Sequence, residues 1–537
     1  MPSVTPADTG SVGAVPGLNP GMKPAPTSVD AAPAVELIGI DKRFGPVHAN
    51  RDVSLTVRRG TIHGIVGENG AGKSTLMSIL YGYYHADAGE IRIGGERHTI
   101  RNSHDAIAAG IGMVHQHFML VDDFTVLENV VLGVEGGVLL KDGMAKARAA
   151  LKELGDTFGL EVDAEAPMHE LPVGLQQRVE IIKALYRGAE ILILDEPTGV
   201  LTPQEADQLF VMLKRFREQG KTVILITHKL REIMAITDRV TVMRQGAVVD
   251  TVDTARTSRE QLAEMMVGRK VLLRVDKTPA HPGAVVLDVE NLGVIDPTGV
   301  ARVKNVSFQV RAGEIVGIAG VTGNGQTELL EALAGMRGYS GSIKLNGKPL
   351  TCPSGQELAR AARAARLAHV PEDRRREGLV GPFSAAESSI LGYHADPAYN
   401  GPIILDQAKV RNRCQKEMDA FDVRPPNPLL RTAAFSGGNQ QKIVLAREMD
   451  RDPALLLVGQ PTRGVDIGAI EFIHRRLIEM RDAGKAILLV SVELDEILGL
   501  ADRILVMFDG MIVGEMARDD ATEQKLGLLM AGISGQE

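Results

Sequence analysis

Val53-Ser-Leu-Thr-Val-Arg-Arg-Gly60 returns as Val306-Ser-Phe-Gln-Val-Arg-Ala-Gly313, an offset of 253. Farther along, Asp238-Arg-Val-Thr-Val-Met243 returns as Asp502-Arg-Ile-Leu-Val-Met507, an offset of 264. The second copy gains residues between these points, and matches from Ser436 onward keep the larger offset. One supersecondary plan used twice decides the fold. The copies are expected over 34–270 and 286–537. The linker between them, 271–285, carries Pro279 and Pro282 among polar residues. Residues 1–33 are rich in Pro, Gly, Ser, Thr and Ala and hold few large apolar side chains. They are expected to form a disordered tail, because burial there cannot offset the entropy of ordering.

Each copy opens with alternating apolar and polar residues, as half-buried strands do. A strand, a glycine-rich turn and a helix follow, and later two buried strands separated by a helix. Such alternation predicts an α/β fold with a parallel sheet and ligands at the carboxyl ends of its strands. The composition agrees: 44% apolar and 24% charged residues in 537 make a globular chain of several domains. Against 60 Lys and Arg stand 68 Asp and Glu, a net charge of −8, so the basic excess of a nucleic-acid binder is missing. Two cysteines, Cys352 and Cys414, exclude a disulfide framework and point to a reducing compartment. The longest apolar runs, Ile191–Leu194 and Ala454–Val458, fall far short of the roughly 20 residues of a membrane helix. No apolar leader opens the chain, which is expected to stay on the side of the membrane where it is made.

In the first copy, the strand Ile62–Val66 runs into Gly67-Glu68-Asn69-Gly70-Ala71-Gly72-Lys73-Ser74 and then into the helical stretch Thr75–Leu80. This is Gly-x4-Gly-Lys-Ser between a strand and a helix. Its glycines let backbone N–H groups converge on phosphate oxygens at a helix N-terminus. Lys73 is expected to reach the β- and γ-phosphates of a bound nucleotide and Ser74 to ligate Mg²⁺. The apolar run Ile191–Leu194 ends in Asp195 and Glu196. As a central strand it would place Asp195 by the Mg²⁺ and Glu196 by the γ-phosphate, to polarise the attacking water. A further buried strand ends in His228, a candidate γ-phosphate contact. Gln116 follows Gly112-Met-Val-His115 at another strand end. Its neutral amide is suited to bridging Mg²⁺ and water.

This order of motifs resembles the ATP-binding subunit of an ABC transporter, and the resemblance covers nearly everything after residue 34. It implies two tandem ATPase domains, each a parallel-sheet core with a helical subdomain, binding ATP and Mg²⁺. The family carries an adenine-stacking aromatic about where Phe44 lies. The duplicated plan looks like importers of simple sugars, of the ribose type, and of nucleosides. The segments Gly112–Val121 and Leu171–Thr202 look closer to the nucleoside branch. The resemblance further implies two integral membrane permeases, an extracytoplasmic solute-binding protein as indirect partner, and a peripheral place at the cytoplasmic face. In that family a short permease helix docks near the glutamine loop, here His117–Leu127 and Asp373–Pro382. The competing class is a soluble non-transport ABC ATPase of the translation or DNA-repair type. Members of the translation class usually keep both sites intact and add a charged linker, unlike this chain.

The second copy reads Gly320-Val-Thr-Gly-Asn-Gly-Gln326-Thr327 at the phosphate loop, so the lysine has become glutamine. Gly459 and Gln460 align with Asp195 and Glu196, Glu372 with Gln116, and Val492 with His228. Losing these charge-assisted contacts together should abolish hydrolysis there. Phe435-Ser436-Gly437-Gly438-Asn439-Gln440-Gln441-Lys442 is nevertheless intact and matches the family signature that completes the opposite domain's site. The first copy has Pro172 and Val173 where the second has Ser436 and Gly437, and proline lacks a backbone donor. One competent site is therefore expected, with Ser436, Gly437, Gly438 and Gln440 acting in trans on ATP held by Lys73. Asp466 is expected to stand beside it across the interface. The basic runs Arg360–Arg366 and Arg374–Arg376 are read as solvated helical faces.

Overall fold

A computed structural model describes residues 32–115, 119–134, 140–199, 201, 203–270, 277–350, 355–399 and 404–533. Nearly all of the expected tail over 1–33, the linker segment 271–276 and Gln116 lie outside the described residues.

The two copies share one strand order. In the first half a six-stranded sheet runs Ala247–Asp253, Arg239–Arg244, Ile62–Gly67, Thr222–Ile226, Ile191–Asp195, Ile111–Val114. Its strands are parallel except the first in that order, which returns antiparallel to Arg239–Arg244. The second half repeats the sheet with Ile315–Ala319 in the place of Ile62–Gly67. Strands such as Ile191–Asp195 and Thr222–Ile226 are buried throughout because helices cover one face and the helix Lys73–Leu80 with the antiparallel sheet covers the other, hence their unbroken apolar sequence. Each half adds a four-stranded antiparallel sheet in front. A helical subdomain is inserted between the strands Ile111–Val114 and Ile191–Asp195, and between their counterparts in the second half. In the first half it is built on Val126–Val131, opened by a Thr125–Glu128 capping box, with Leu140–Phe158 and Val173–Tyr186.

This topology puts both phosphate-loop strands inside their sheets, next to the strand that leads to the histidine position, with the strand that ends in the acidic position one place farther on. Asp195 is level with Ile226 across one ladder, and Ile226 with Ile65 across the next. The second half starts one residue earlier than expected, its first strand spanning Val285–Ile295. The linker's end is tied to that half: Lys277 Nζ donates to the Leu500 and Ala501 carbonyls and pairs with Asp502 at 2.8 Å. Arg374 departs from the expected solvated face. Its guanidinium turns inward and donates to the carbonyls of Arg463 (2.7 Å) and Gly464.

Candidate nucleotide site

Gly67 closes the central strand, and the helix Lys73–Leu80 starts behind Gly72, which sits in the left-handed region at φ 94°. A Cβ on Gly72 would strike the Ala49 carbonyl, so only glycine lets the loop lie this close to its neighbouring strand. Asn50 Nδ2 braces the turn from the Gly72 carbonyl at 3.1 Å. Glu68, Asn69 and Gly70 form the open side of the loop, and Ala71 packs into the core. Thr75 sits half-buried in the first turn of the helix. Lys73 is buried and donates from Nζ to the Gly67 carbonyl at 2.7 Å and to that of Glu68 at 3.1 Å. Burial pushes its pKa down, against the pull of Glu196, Asp195 and Glu68. The ammonium thus rests on loop carbonyls, where an incoming phosphate would be a stronger partner.

The Ser74 hydroxyl lies beside the Asp195 carboxylate and works to hold its pKa down. Burial pushes the Asp195 carboxyl up, as for a carboxylate short of a cation. A hydroxyl and a carboxylate with oxygen donors only suit a hard divalent cation, so these residues fit Mg²⁺. Glu196 follows at φ 47° in the left-handed region, a cost of about 1 kcal/mol or more, and this aims its side chain at His228. His228 Nδ1 lies 2.9 Å from Glu196 Oε1. Burial would raise the Glu196 pKa, but the His228 hydrogen bond and charge, with Lys73 and Lys229, hold it below the usual range. Glu196 is thereby kept ionised, as a base must be. Phe44 ends the strand Val35–Phe44 with its ring exposed, edge-on to Tyr84 at 5.1 Å. Tyr84, a second exposed aromatic there, was not singled out from sequence.

In the second half, Ser436 caps the helix Gly437–Met449, its Oγ accepting from Asn439 Nδ2 at 2.9 Å. Gly437 has no room for a side chain, and Gly438 has little. A Cβ on Gly437 would meet Arg374 Nη2 at 2.6 Å and the Gly464 carbonyl at 2.9 Å; one on Gly438 would meet Asp466 Oδ2 at 3.2 Å. Gln440 does not face the first half. It is buried, and its Nε2 donates to the Thr432 carbonyl at 3.0 Å. Asp466 caps the helix Ile467–Asp482 through Ala469 N at 2.7 Å and lies against Glu68 of the other half. A Cβ on Gly468 would come 3.8 Å from Glu68 Oε1. Burial and the Asp466 carboxylate push the Glu68 carboxyl up to about 7, against Arg244, Arg269 and Lys73. Asp466 therefore stands between the first phosphate loop and the second signature.

The halves meet around a local two-fold. Lys229 and Glu493, equivalent under the 264 offset, pair at 2.9 Å, and a residue that meets its own equivalent lies at the axis. Arg231 pairs with Glu523, and its equivalent Asp495 with Arg259, which is the equivalent of Glu523. Arg269 holds Glu471 at 2.8 Å. In each of these ion pairs, among the described residues, the first half supplies the cation. Ile467 crosses the interface and joins the first half's apolar core. The sequence carried a signal for this: opposite charges stand at 229 and 493, 231 and 495, and 259 and 523.

Residues 50–199 and 303–463 match the ABC transporter family. The nucleoside import ATP-binding protein NupA of Lactococcus lactis is 47% identical over 93% of this chain and 98% of its own. The guanosine import ATP-binding protein NupO of Bacillus subtilis is 47% identical over 94% and 98%. The glucose import ATP-binding protein TsgD13 of Haloferax volcanii is 45% identical over 93% and 96%. No helix among the described residues is long and apolar enough to cross a membrane. With its two repeats, its phosphate loop and these relatives along nearly its whole length, the chain belongs to the ABC transporter family as a duplicated ATP-binding subunit.

Proposed function

We propose that this chain is the energy-coupling ATPase of an importer, hydrolysing ATP at one composite site. The observation that carries the reading is Asp466, wedged between Glu68 of the first phosphate loop and Gly438 of the second signature. Lys73 exchanges the Gly67 and Glu68 carbonyls for the β- and γ-phosphates, Phe44 stacks on adenine, and Ser436 and Gly438 meet the γ-phosphate from the far side. Ser74, Asp195 and Gln116 would hold Mg²⁺, which would supply charge stabilisation to the phosphates. Glu196, oriented by His228, takes the proton of the attacking water. Loss of the γ-phosphate removes the contact that holds Ser436 against the first half, so hydrolysis releases the clamp.

The motion is passed to two integral permeases at the cytoplasmic face of the membrane, and through them to an extracytoplasmic binding protein. A cavity of ≈ 110 Å³, lined by Tyr81, Tyr83, Met113, His115 and Arg187 and bordered by the exposed Met119, offers a seat for a short permease helix. The imported solute is a nucleoside, with a simple sugar as the runner-up, in keeping with the two 47% identical relatives. The soluble non-transport class is set aside, because relatives over nearly the full length are import ATP-binding proteins.

Phosphate release by the chain with its permeases tests the site. Glu196→Gln should lower turnover by about a hundredfold or more, while Gln326→Ala changes it little. Equal losses would contradict a single hydrolytic site. Stimulation by a guanosine-loaded rather than a ribose-loaded binding protein tests the solute.

A further inference from the structure

The turn that leads to Asp466 is held from one side by a single arginine. The carbonyls of Arg463 and Gly464 both accept from Arg374, at 2.7 Å and 3.4 Å. The same guanidinium fills the space beside the signature, where a Cβ on Gly437 would come 2.6 Å from its Nη2. Arg374 therefore stands between the start of the helix Gly437–Met449 and the turn that precedes the helix Ile467–Asp482. Two donors on one rigid planar group fix the direction of the turn as well as its distance. The loop that carries Arg374 is itself fixed. Arg374–Gly378 form a single helical turn, capped by the Asp373 carboxylate, which accepts from the Arg375 and Arg376 amides at 2.9 and 3.2 Å. Its far end is tied to the signature helix: buried Arg447 donates to the Gly378 carbonyl at 2.8 Å and to that of Ser388 at 3.1 Å. Loop, signature helix and the approach to Asp466 thus form one piece.

The halves differ at this point. Lys183, the equivalent of Arg447, keeps its tie and donates to the Met119 carbonyl at 2.8 Å. Phe118, two residues after Gln116 as Arg374 is two after Glu372, has no side-chain donor. The arginine belongs to the half that supplies the intact signature and Asp466, and not to the half that supplies Lys73, Asp195 and Glu196. It is also kept at a cost. Burial and Arg375 work against its charge, with Asp373 opposing them, and its Nε is buried without a hydrogen-bond partner among the described residues. A donor set spent in this way, in a half whose own hydrolytic positions are Gly459, Gln460 and Val492, has its use at the opposite site.

We propose that Arg374 is a positioning residue of the first ATP site and acts in trans, holding Asp466 in register with the first phosphate loop through the Arg463–Gly464 turn. Asp466 is the group it acts through, because Asp466 caps the next helix at Ala469 N and lies against Glu68 beside Lys73. A displacement of the loop Asp373–Gly378 therefore reaches the nucleotide held by the other half. That loop falls in the segment Asp373–Pro382, where the family resemblance seats a permease helix, so the half without hydrolytic groups passes the signal to the half that has them.

The inference rests on the reading of Asp466 beside the first site, and the test separates the two. ATP turnover is measured on the full chain with its permeases. Arg374→Ala should lower kcat about tenfold while KM for ATP shifts about twofold or less. Arg374→Lys, one ammonium for two carbonyls, should recover part of the loss. Because Arg374 acts through Asp466, Asp466→Ala should turn over as slowly as Asp466→Ala combined with Arg374→Ala. Wild-type turnover in Arg374→Ala overturns the proposal, and so does a double variant whose loss is the product of the two single losses. A loss that Arg374→Lys does not relieve, accompanied by a lowered melting temperature, would show a merely structural brace and overturn it as well. Wild-type turnover in Asp466→Ala would instead count against the first site as read, and the inference would fall with it.

Discussion

At the residue scale the account turns on carboxylates whose surroundings set their charge. Glu196 is held ionised by His228 although burial works the other way. His228→Ala removes that hold, so the Glu196 pKa rises and the acid limb of the pH profile of kcat moves to higher pH. Turnover at neutral pH should also fall by about 10²-fold. An unmoved limb would contradict the pairing. Glu68 titrates at about 7 because burial and Asp466 favour its proton. A carboxyl whose folded pKa is raised contributes stability below its ordinary value and loses it as the pH climbs to the folded one. The nucleotide-free chain should therefore lose melting temperature between about pH 5 and pH 7.5, and Glu68→Gln should lose less over the same range. Much of this site was legible in sequence, because phosphate-loop spacing and strand-end acids tie residue type to position. The resemblance placed Asp466 beside the first site, but nothing in the sequence marked Glu68 as its neighbour there.

At the element scale, the strands were read correctly because buried parallel strands write themselves as apolar runs, as Ile191–Asp195 does. Side-chain direction was harder. Gln440 belongs to the signature by sequence, yet it lies one helical turn beyond Ser436 on the inner face and caps the Thr432 carbonyl. Arg374 looked like surface charge and proves to be a brace for the Arg463–Gly464 turn beside the signature helix. That brace makes Gly437 sensitive. Gly437→Ala would press on Arg374 and the Gly464 carbonyl and displace the turn that leads to Asp466. ATP binding at Lys73 should persist while phosphate release drops about tenfold or more, a split that comparison of binding and single-turnover rates reads out. Equal rates in variant and wild type would contradict the close packing.

At the scale of the whole molecule, the segregation of charge across the two-fold gives each half one permitted partner. Pairing two first halves would set Lys229 against Lys229 and Arg231 against Arg259, like against like. Each exposed pair is worth about 1 kcal/mol or less, so Arg231→Ala alone should change turnover little. Arg231→Glu with Arg259→Glu replaces two attractions by two repulsions and should lower ATPase activity severalfold. Adding Asp495→Arg and Glu523→Arg should restore it, and failure to restore would show that the pairs do not govern the approach of the halves. The interface ties the halves at the axis, and in the proposed cycle ATP closes them away from it.

The central claim is that the first phosphate loop is finished by the second signature, and a structure of Glu196→Gln trapped with Mg²⁺ and ATP tests it most directly. The expected result is a triphosphate on Lys73 whose γ-phosphate also accepts from Ser436 Oγ and the Gly438 amide. A triphosphate bound at Lys73 in a closed chain with Ser436 beyond hydrogen-bond reach would contradict it.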